Sequence, residues 1–140
     1  MASKIKFEMP DFSLALKNAT EKAIEEAGFA IVAEVVQSAP KKETTYVKQV
    51  QYIKEQKQVI AAAPYSAVLE YGSRPHIIQP TGGKKALHFK NKNGDWVFAK
   101  IVHHPGTKPL AIMRNAALKV QKEIGGTFTR HFKKELKKNV

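Results

Sequence analysis

The chain has 140 residues, 43% of them hydrophobic, no cysteine, a formal charge of +12 and a mean hydropathy of −0.36. That length suffices for one domain with a real core, and the composition is that of an ordinary soluble globular protein. The lack of cysteine excludes a disulfide framework and cysteine-rich zinc modules. No apolar run approaches the ~20 residues of a bilayer helix, and residues 1–11 carry charges and a proline where a secretory segment needs an apolar stretch. The expectation is a chain made in a reducing cytoplasm, neither exported nor membrane-inserted.

The charge is unevenly placed. Residues 1–40 hold four lysines against six carboxylates, whereas residues 41–140 hold twenty Lys/Arg against six. Such asymmetry suggests a polyanion or an acidic protein partner. The plainer alternative is that the lysines keep a small protein dissolved.

In chain order, residues 1–11 read as a flexible arm. Asp11 and Ser13 are candidate caps for a helix over 12–37, whose apolar stripe is Leu16, Ala23, Ile24, Ala27, Ile31 and Val35. Gly28 costs this helix about 1 kcal/mol and marks a close approach to a sheet. Ser38-Ala39-Pro40 ends it. Residues 45–53 alternate like a strand, 54–57 turn, and 58–62 return as a second strand. Pro64 suits the first position of a short helix with Ala67, Val68 and Tyr71 at helical spacing, and Gly72 suits the left-handed position past its end.

Ile77-Ile78 opens a third strand, broken by Pro80-Thr81-Gly82-Gly83. Two further β-rich runs, 86–89 and 96–101, flank residues 91–95, where Asn93-Gly94 signals a hairpin. Residues 103–109 read as a loop. A final helix over 110–138 carries Leu110, Met113, Ala117, Val120 and Ile124, extended by Phe128, Phe132 and Leu136, with a bend at Gly125-Gly126. The predicted fold class is α+β in a single domain, 1–140. An antiparallel sheet of about four to five strands over 45–104, with its short central helix, is packed by a long N-terminal helix and a long C-terminal helix.

Chemistry-bearing patterns are sparse. The five histidines, His76, His88, His103, His104 and His131, include no pair four residues apart, so no metal site is expected. The twelve carboxylates are scattered, with no nucleophile–base spacing, so no catalytic residue, cofactor or small-molecule substrate is expected. Gly82-Gly83-Lys84-Lys85 lacks the upstream glycine and downstream Ser/Thr of a nucleotide-binding loop and reads as a flexible basic loop. Near the end, Arg130, Lys133, Lys134, Lys137 and Lys138 share one helix face opposite Phe128, Phe132 and Leu136. That stripe suits DNA or an acidic partner, or is simply solvated. With the strand aromatics Tyr46, Tyr52, Phe89 and Trp96 it leaves open a basic nucleic-acid-binding module.

Several short motifs recur in a recognisable order. Ala39-Pro40 closes the first helix, followed by Pro64-Tyr65 and Leu69-Glu70-Tyr71-Gly72-Ser73. Lys85, Leu87 and Phe89 come next, then Val102, His104-Pro105-Gly106-Thr107 and Pro109 ahead of the last helix. In order and spacing, from about residue 12 to 124, the chain resembles the tail-component or head–tail joining (neck, tail-completion) family of long-tailed bacteriophages. It departs from that pattern at Glu43-Thr44-Thr45-Tyr46, where the family usually has Thr-Gly-x-Leu, and at Leu110-Ala111, where it usually has Pro-Phe.

The resemblance implies a structural virion protein and not an enzyme, made in the bacterial host cytoplasm and located at the neck or top of the tail. Its implied partners are copies of itself in a ring and neighbouring tail-terminator, head-closure or adaptor proteins, with contact to genome DNA. Tyr65, Glu70, Tyr71, Arg74, Lys84, Lys85, His104 and Thr107 are then the expected subunit or partner contacts, with Glu70 and Arg74 paired within or between subunits. Arg130, Lys133, Lys134, Lys137 and Lys138 are expected to face DNA or an acidic partner. Loops 80–85 and 91–95 are expected to make contacts as well.

Overall fold

The structure is a computed structural model that describes residues 5–6 and 11–138. The arm expected over residues 1–11 lies outside the described residues except at Ile5, Lys6 and Asp11. The element order is α1 (Ser13–Ser38), α2 (Thr44–Lys48), β1 (Val50–Ile53), β2 (Gln58–Ala61), α3 (Ser66–Tyr71), β3 (His76–Ile78), β4 (Leu87–Lys90), β5 (Trp96–Ala99), β6 (Val102–His104), α4 (Ile112–Gln121) and α5 (Ile124–Lys138). Helix and strand are mixed, with long helical segments near both ends, as the sequence predicts.

The strands form three two-stranded antiparallel ladders, β1–β2, β3–β6 and β4–β5, in place of one sheet of four to five strands. Each strand is only three or four residues long. Pro75, Pro80 and Pro105 also sit beside the strand ends, where their missing N–H stops a ladder from growing. Contacts divide the chain, expected as one domain, into two compact units: Met1–Ala63 with Ile112–Val140, and Pro64–Ala111.

In the first unit α1 packs along α4 and α5. The contact runs on a seam of small side chains, with Ala15, Ala19 and Ala23 buried and Val35 at its far end. Spacings of four residues keep the three alanines on one face, and small side chains let the helix axes approach. The seam shares Ala23 and Val35 with the expected stripe, but Leu16 is exposed. Gly28 does mark a close approach to the β1–β2 ladder: a Cβ there would run into the Tyr52 ring, with Tyr52 Cε2 at 2.5 Å. Tyr52 in turn meets Phe29 edge-on, ring centroids 5.3 Å apart.

Two local expectations fail here for packing reasons. Residues 44–48 form helix α2 and not the start of a strand; the turn buries Tyr46, and β1–β2 pairing stops at the bond from Ala62 N–H to Gln49 O. The last helix is two helices, broken at residues 122–123 and not at Gly125-Gly126, which lie inside α5. Glu123 N–H bonds back three residues to Val120 O, a tight turn that ends α4. Because Ala111 is left-handed (φ 49), α4 starts only at Ile112 and buries Ile112 and Ala116, leaving Leu110 outside the helix and Ala117 exposed.

Candidate functional site

The unit Pro64–Ala111 is organised by an antiparallel ribbon that joins the two most distinctive sequence blocks. Ser73 pairs with Thr107 through Ser73 N–H to Thr107 O (2.9 Å) and Thr107 N–H to Ser73 O (3.0 Å). In the same register β3 pairs with β6: His76 opposite His104, Ile77 opposite His103, Ile78 opposite Val102. Residues 103–109, expected as a loop, therefore begin inside a strand. Between the Ser73 bridge and the β3–β6 ladder, Pro75 and Pro105 cannot donate, so the pairing lapses.

Two histidines take over the backbone groups left there. His76 Nδ1 lies 2.8 Å from Arg74 O and, facing a carbonyl, donates. His104 Nδ1 accepts from Gly106 N–H at 3.0 Å, which puts the proton of a neutral ring on Nε2. The two rings stack across the ladder, centroids 4.9 Å apart.

The ribbon requires glycine at two places. Gly72 follows α3 at φ 74, ψ −174, a conformation open essentially only to glycine, and its absent Cβ would fall on the Thr107 carbonyl. Gly106 (φ 87) lies likewise against the Ser73 carbonyl. The end of α3 is closed from both sides: Gly72 N–H bonds Val68 O and Leu110 N–H bonds Leu69 O, both at 2.8 Å. Pro64 precedes this helix by two residues, and Leu69 is its buried residue, while Ala67, Val68 and Tyr71 are exposed.

The hairpin β4–β5 pairs Leu87 with Ala99, His88 with Phe98, Phe89 with Val97 and Lys90 with Trp96. Its turn is held by Asn91, whose Oδ1 accepts from Asn93 N–H and Asp95 N–H, each at 2.9 Å. Leu87, His88 and Phe89 of the hairpin, with Ile78, Val102 and His104, line a mainly apolar groove of about 280 Å³. One face of the hairpin presents a row of exposed rings.

In the first unit the charge asymmetry has a partly internal explanation. Carboxylates of α1 meet Arg, His and Lys side chains of α4 and α5 in antiparallel order: Glu26 with Arg130 (2.5 Å) and His131 (2.7 Å), Glu34 with Lys119 (2.7 Å). Lys22 and Asn18 of α1 reach Glu135 in the reverse sense. Glu135 is 5% exposed and accepts from Lys22 Nζ at 2.5 Å, Lys138 Nζ at 3.0 Å and Asn18 Nδ2 at 3.4 Å. The Lys22 hydrogen bond first, then that of Lys138, holds its carboxyl down to about 2 against the opposing effect of burial. Glu26 is likewise held below the usual carboxylate range, by Arg130 and then His131. Glu135 lines an open cleft of about 580 Å³ with Asn18, Lys22, Tyr52, Lys54 and Lys57.

The residues singled out from sequence fall into distinct settings. Thr107 and His104 belong to the ribbon, and Tyr65 heads α3, its carbonyl accepting from Val68 and Leu69 N–H. Tyr71, Arg74, Lys84 and Lys85 are exposed, and Glu70 is half-buried. Among the described residues Arg74 is in no ion pair, and its carbonyl faces His76 Nδ1. The cationic stripe is divided: Arg130 and Lys138 are held by Glu26 and Glu135, while Lys133, Lys134 and Lys137 are exposed without an ion pair among the described residues. Of the strand aromatics, Tyr46 is buried, Tyr52 and Phe89 are half-buried, and Trp96 is exposed.

Sequence reasoning missed His76, His88 and Phe98. The signal available for the last two was their period-two placement opposite Leu87, Phe89 and Val97. Among the described residues no group of three His, Cys, Asp or Glu side chains is placed to hold a metal ion, and no helix is long and apolar enough to cross a membrane. No family model, curated protein or solved structure matches the chain.

Proposed function

We propose that this chain is a structural virion protein of a tailed bacteriophage, made in the host cytoplasm and acting at the neck as one copy of an oligomeric ring in head–tail joining or tail completion. The observation that carries the reading is an unfinished core. Among the described residues of Pro64–Ala111 only Leu69 is buried, while Tyr71 (71%), Ile77 (58%), Trp96 (60%), Phe98 (71%) and Ile101 (51%) are more than half exposed. Apolar side chains left out in this density belong to a surface that assembly covers. Two of the sequence blocks behind the phage resemblance, the one ending at Ser73 and the one from Val102 to Pro109, meet in the ribbon.

In this reading the partners are further copies, adjoining terminator, head-closure or adaptor proteins, and genome DNA, and no catalysis is involved. Pairing between copies along open ladder edges is where the larger four-to-five-stranded sheet would form. A second reading, a basic nucleic-acid-binding module, draws on exposed Lys133, Lys134 and Lys137 and the +12 charge.

The test is light scattering of the purified chain, alone and mixed with phage tails lacking their neck component. Binding to those tails with recovery of head joining is the expected result. A chain that ignores tails but binds nucleic acid with a steep salt dependence would overturn the reading in favour of the second.

A further inference from the structure

The hairpin β4–β5 has two unlike faces. Strand alternation puts Leu87, Phe89, Val97 and Ala99 on one, all half-buried, and His88, Lys90, Trp96 and Phe98 on the other, all exposed. On the exposed face the His88 ring stacks on both Trp96 and Phe98, centroids 4.3 Å from each, and Lys90 Nζ sits 5.1 Å from the Trp96 ring centroid. This is an aromatic ridge. The half-buried face borders the apolar groove of about 280 Å³, nearly twice the ~150 Å³ that accommodates a benzene.

We infer that the ridge of one copy seats in the groove of the next, so that the chain associates head to tail through β4–β5. The inference rests on the ring reading above and names its contact. His88 borders both features, but Trp96 and Phe98 of the ridge do not line the groove, so ridge and groove are different surfaces and the contact is heterologous. Such contacts generate rings where the rotation closes.

Area supports a contact of this kind. Aromatic side chains bury roughly 150–250 Å² each when covered. At their exposures Trp96 and Phe98 then offer roughly 200–300 Å². With a similar area of groove wall, one contact covers roughly half the apolar part of a standard interface of about 1,600 Å². Alone that is thin for a dimer. In a closed ring each copy is held twice, once by its ridge and once by its groove.

A single-stranded nucleic acid is the occupant that the charge invites, but bases stack on open ring faces. Here His88 is stacked against two neighbours and Lys90 lies over Trp96, which leaves few ring faces free for a base. The two occupants also respond oppositely to salt. Copies that each carry +12 repel, so their association strengthens as salt screens them, whereas polyanion binding weakens.

Trp96 is the single tryptophan and there is no cysteine, so the full-length chain carries its own probe and a clean background for cross-linking. With rising concentration we expect particle mass to grow and Trp96 emission to shift to the blue together, more so in high salt. Phe98→Glu, at an exposed position, weakens the midpoint by roughly 10- to 100-fold, the worth of one buried Phe side chain. A mixture of Phe98→Cys and Val102→Cys chains forms mixed disulfide dimers in preference to either homodimer. Assembly with unchanged Trp96 emission and indifference to Phe98→Glu would overturn this contact while leaving the ring reading intact. A chain that stays monomeric at all salts overturns the contact, and the tail-binding experiment then judges the ring reading separately. Quenching of Trp96 by a thymidine oligonucleotide of about 20 nucleotides, weakening with salt, would overturn it in favour of nucleic acid.

Discussion

The two units hold themselves together by different means. In Met1–Ala63 with Ile112–Val140, an alanine seam, Val35, Tyr46 and Ile112 are buried, and ion pairs follow the helices along their length. In Pro64–Ala111 a backbone ribbon, two glycines and two histidine side chains do what a core does elsewhere. The difference shows how a short segment keeps a defined shape while its apolar side chains stay outside. Backbone hydrogen bonds and steric fit set the conformation, and hydrophobic burial within the unit contributes little. A unit of this kind is specified before it is fully stabilised.

The largest effect that separates the units is expected from Gly72→Ala. The backbone there costs a non-glycine residue about 1–3 kcal/mol, and the new Cβ meets the Thr107 carbonyl, so a loss of roughly 3 kcal/mol or more is expected. Amide hydrogen exchange should speed up in β3 and β6 while α1 keeps its protection. Equal acceleration in α1 would mean that the units open as one, and the contrast would collapse.

The converse test in the first unit is Gly28→Ala. Helix propensity favours alanine by about 1 kcal/mol, but overpacking against the Tyr52 ring costs about 1–3 kcal/mol. Urea unfolding should show a net loss of up to about 2 kcal/mol, restored in part by adding Tyr52→Leu. A stabilised Gly28→Ala would mean that Tyr52 yields freely and that this packing is looser than the ribbon.

Parts of both units could be read in the sequence because their signals are local. The α1 boundaries, the turn at residues 54–57, the β4–β5 hairpin and the glycine exit of α3 all rest on a few adjacent residues. What escaped depends on distant ones. Thr44–Lys48 is rich in β-branched and aromatic side chains, yet burial of Tyr46 in a helical turn prevails over that preference. The register joining Ser73 to Thr107 leaves no periodic trace, and prolines at its centre read as loop. The cationic stripe of α5 was visible, but which of its members are free depends on Glu26 and Glu135 standing opposite. That becomes clear only once α1 and α5 lie antiparallel.

A smaller effect is expected from His104→Ala, which leaves Gly106 N–H without its acceptor and costs about 1 kcal/mol. His104→Asn, which keeps an acceptor, should recover part of it, read as β3–β6 exchange rates. If both variants behave alike, ring stacking on His76 and not the hydrogen bond is what His104 contributes.

Glu135→Gln is expected to be milder at neutral pH, because Lys22 and Lys138 are half exposed and return to water. Its mark is a pH dependence. A carboxylate whose folded pKa is depressed from 4.5 to about 2 contributes fully above pH 4.5, and the contribution is lost as pH falls through about 2. The native chain should therefore lose stability more steeply over that interval than Glu135→Gln, with Glu26 titrating in the same direction in both. Parallel acid profiles would remove Glu135 from the first unit's fastening.

The smallest expected effect is a gain, from Lys57→Gly. Lys57 closes the turn between β1 and β2 with φ 52, a left-handed conformation that costs an L-residue about 1–2 kcal/mol. Glycine removes that strain but adds about 0.4–1 kcal/mol of unfolded-chain entropy, leaving a net stabilisation of about 0.5 kcal/mol. The side chain is exposed, so little packing is lost with it. Because β1–β2 belongs to the first unit, the gain should appear in its unfolding midpoint and leave β3–β6 exchange unchanged. A rise in β3–β6 protection would show that stability passes between the units, and the ribbon would then owe part of its order to a core it does not itself contain.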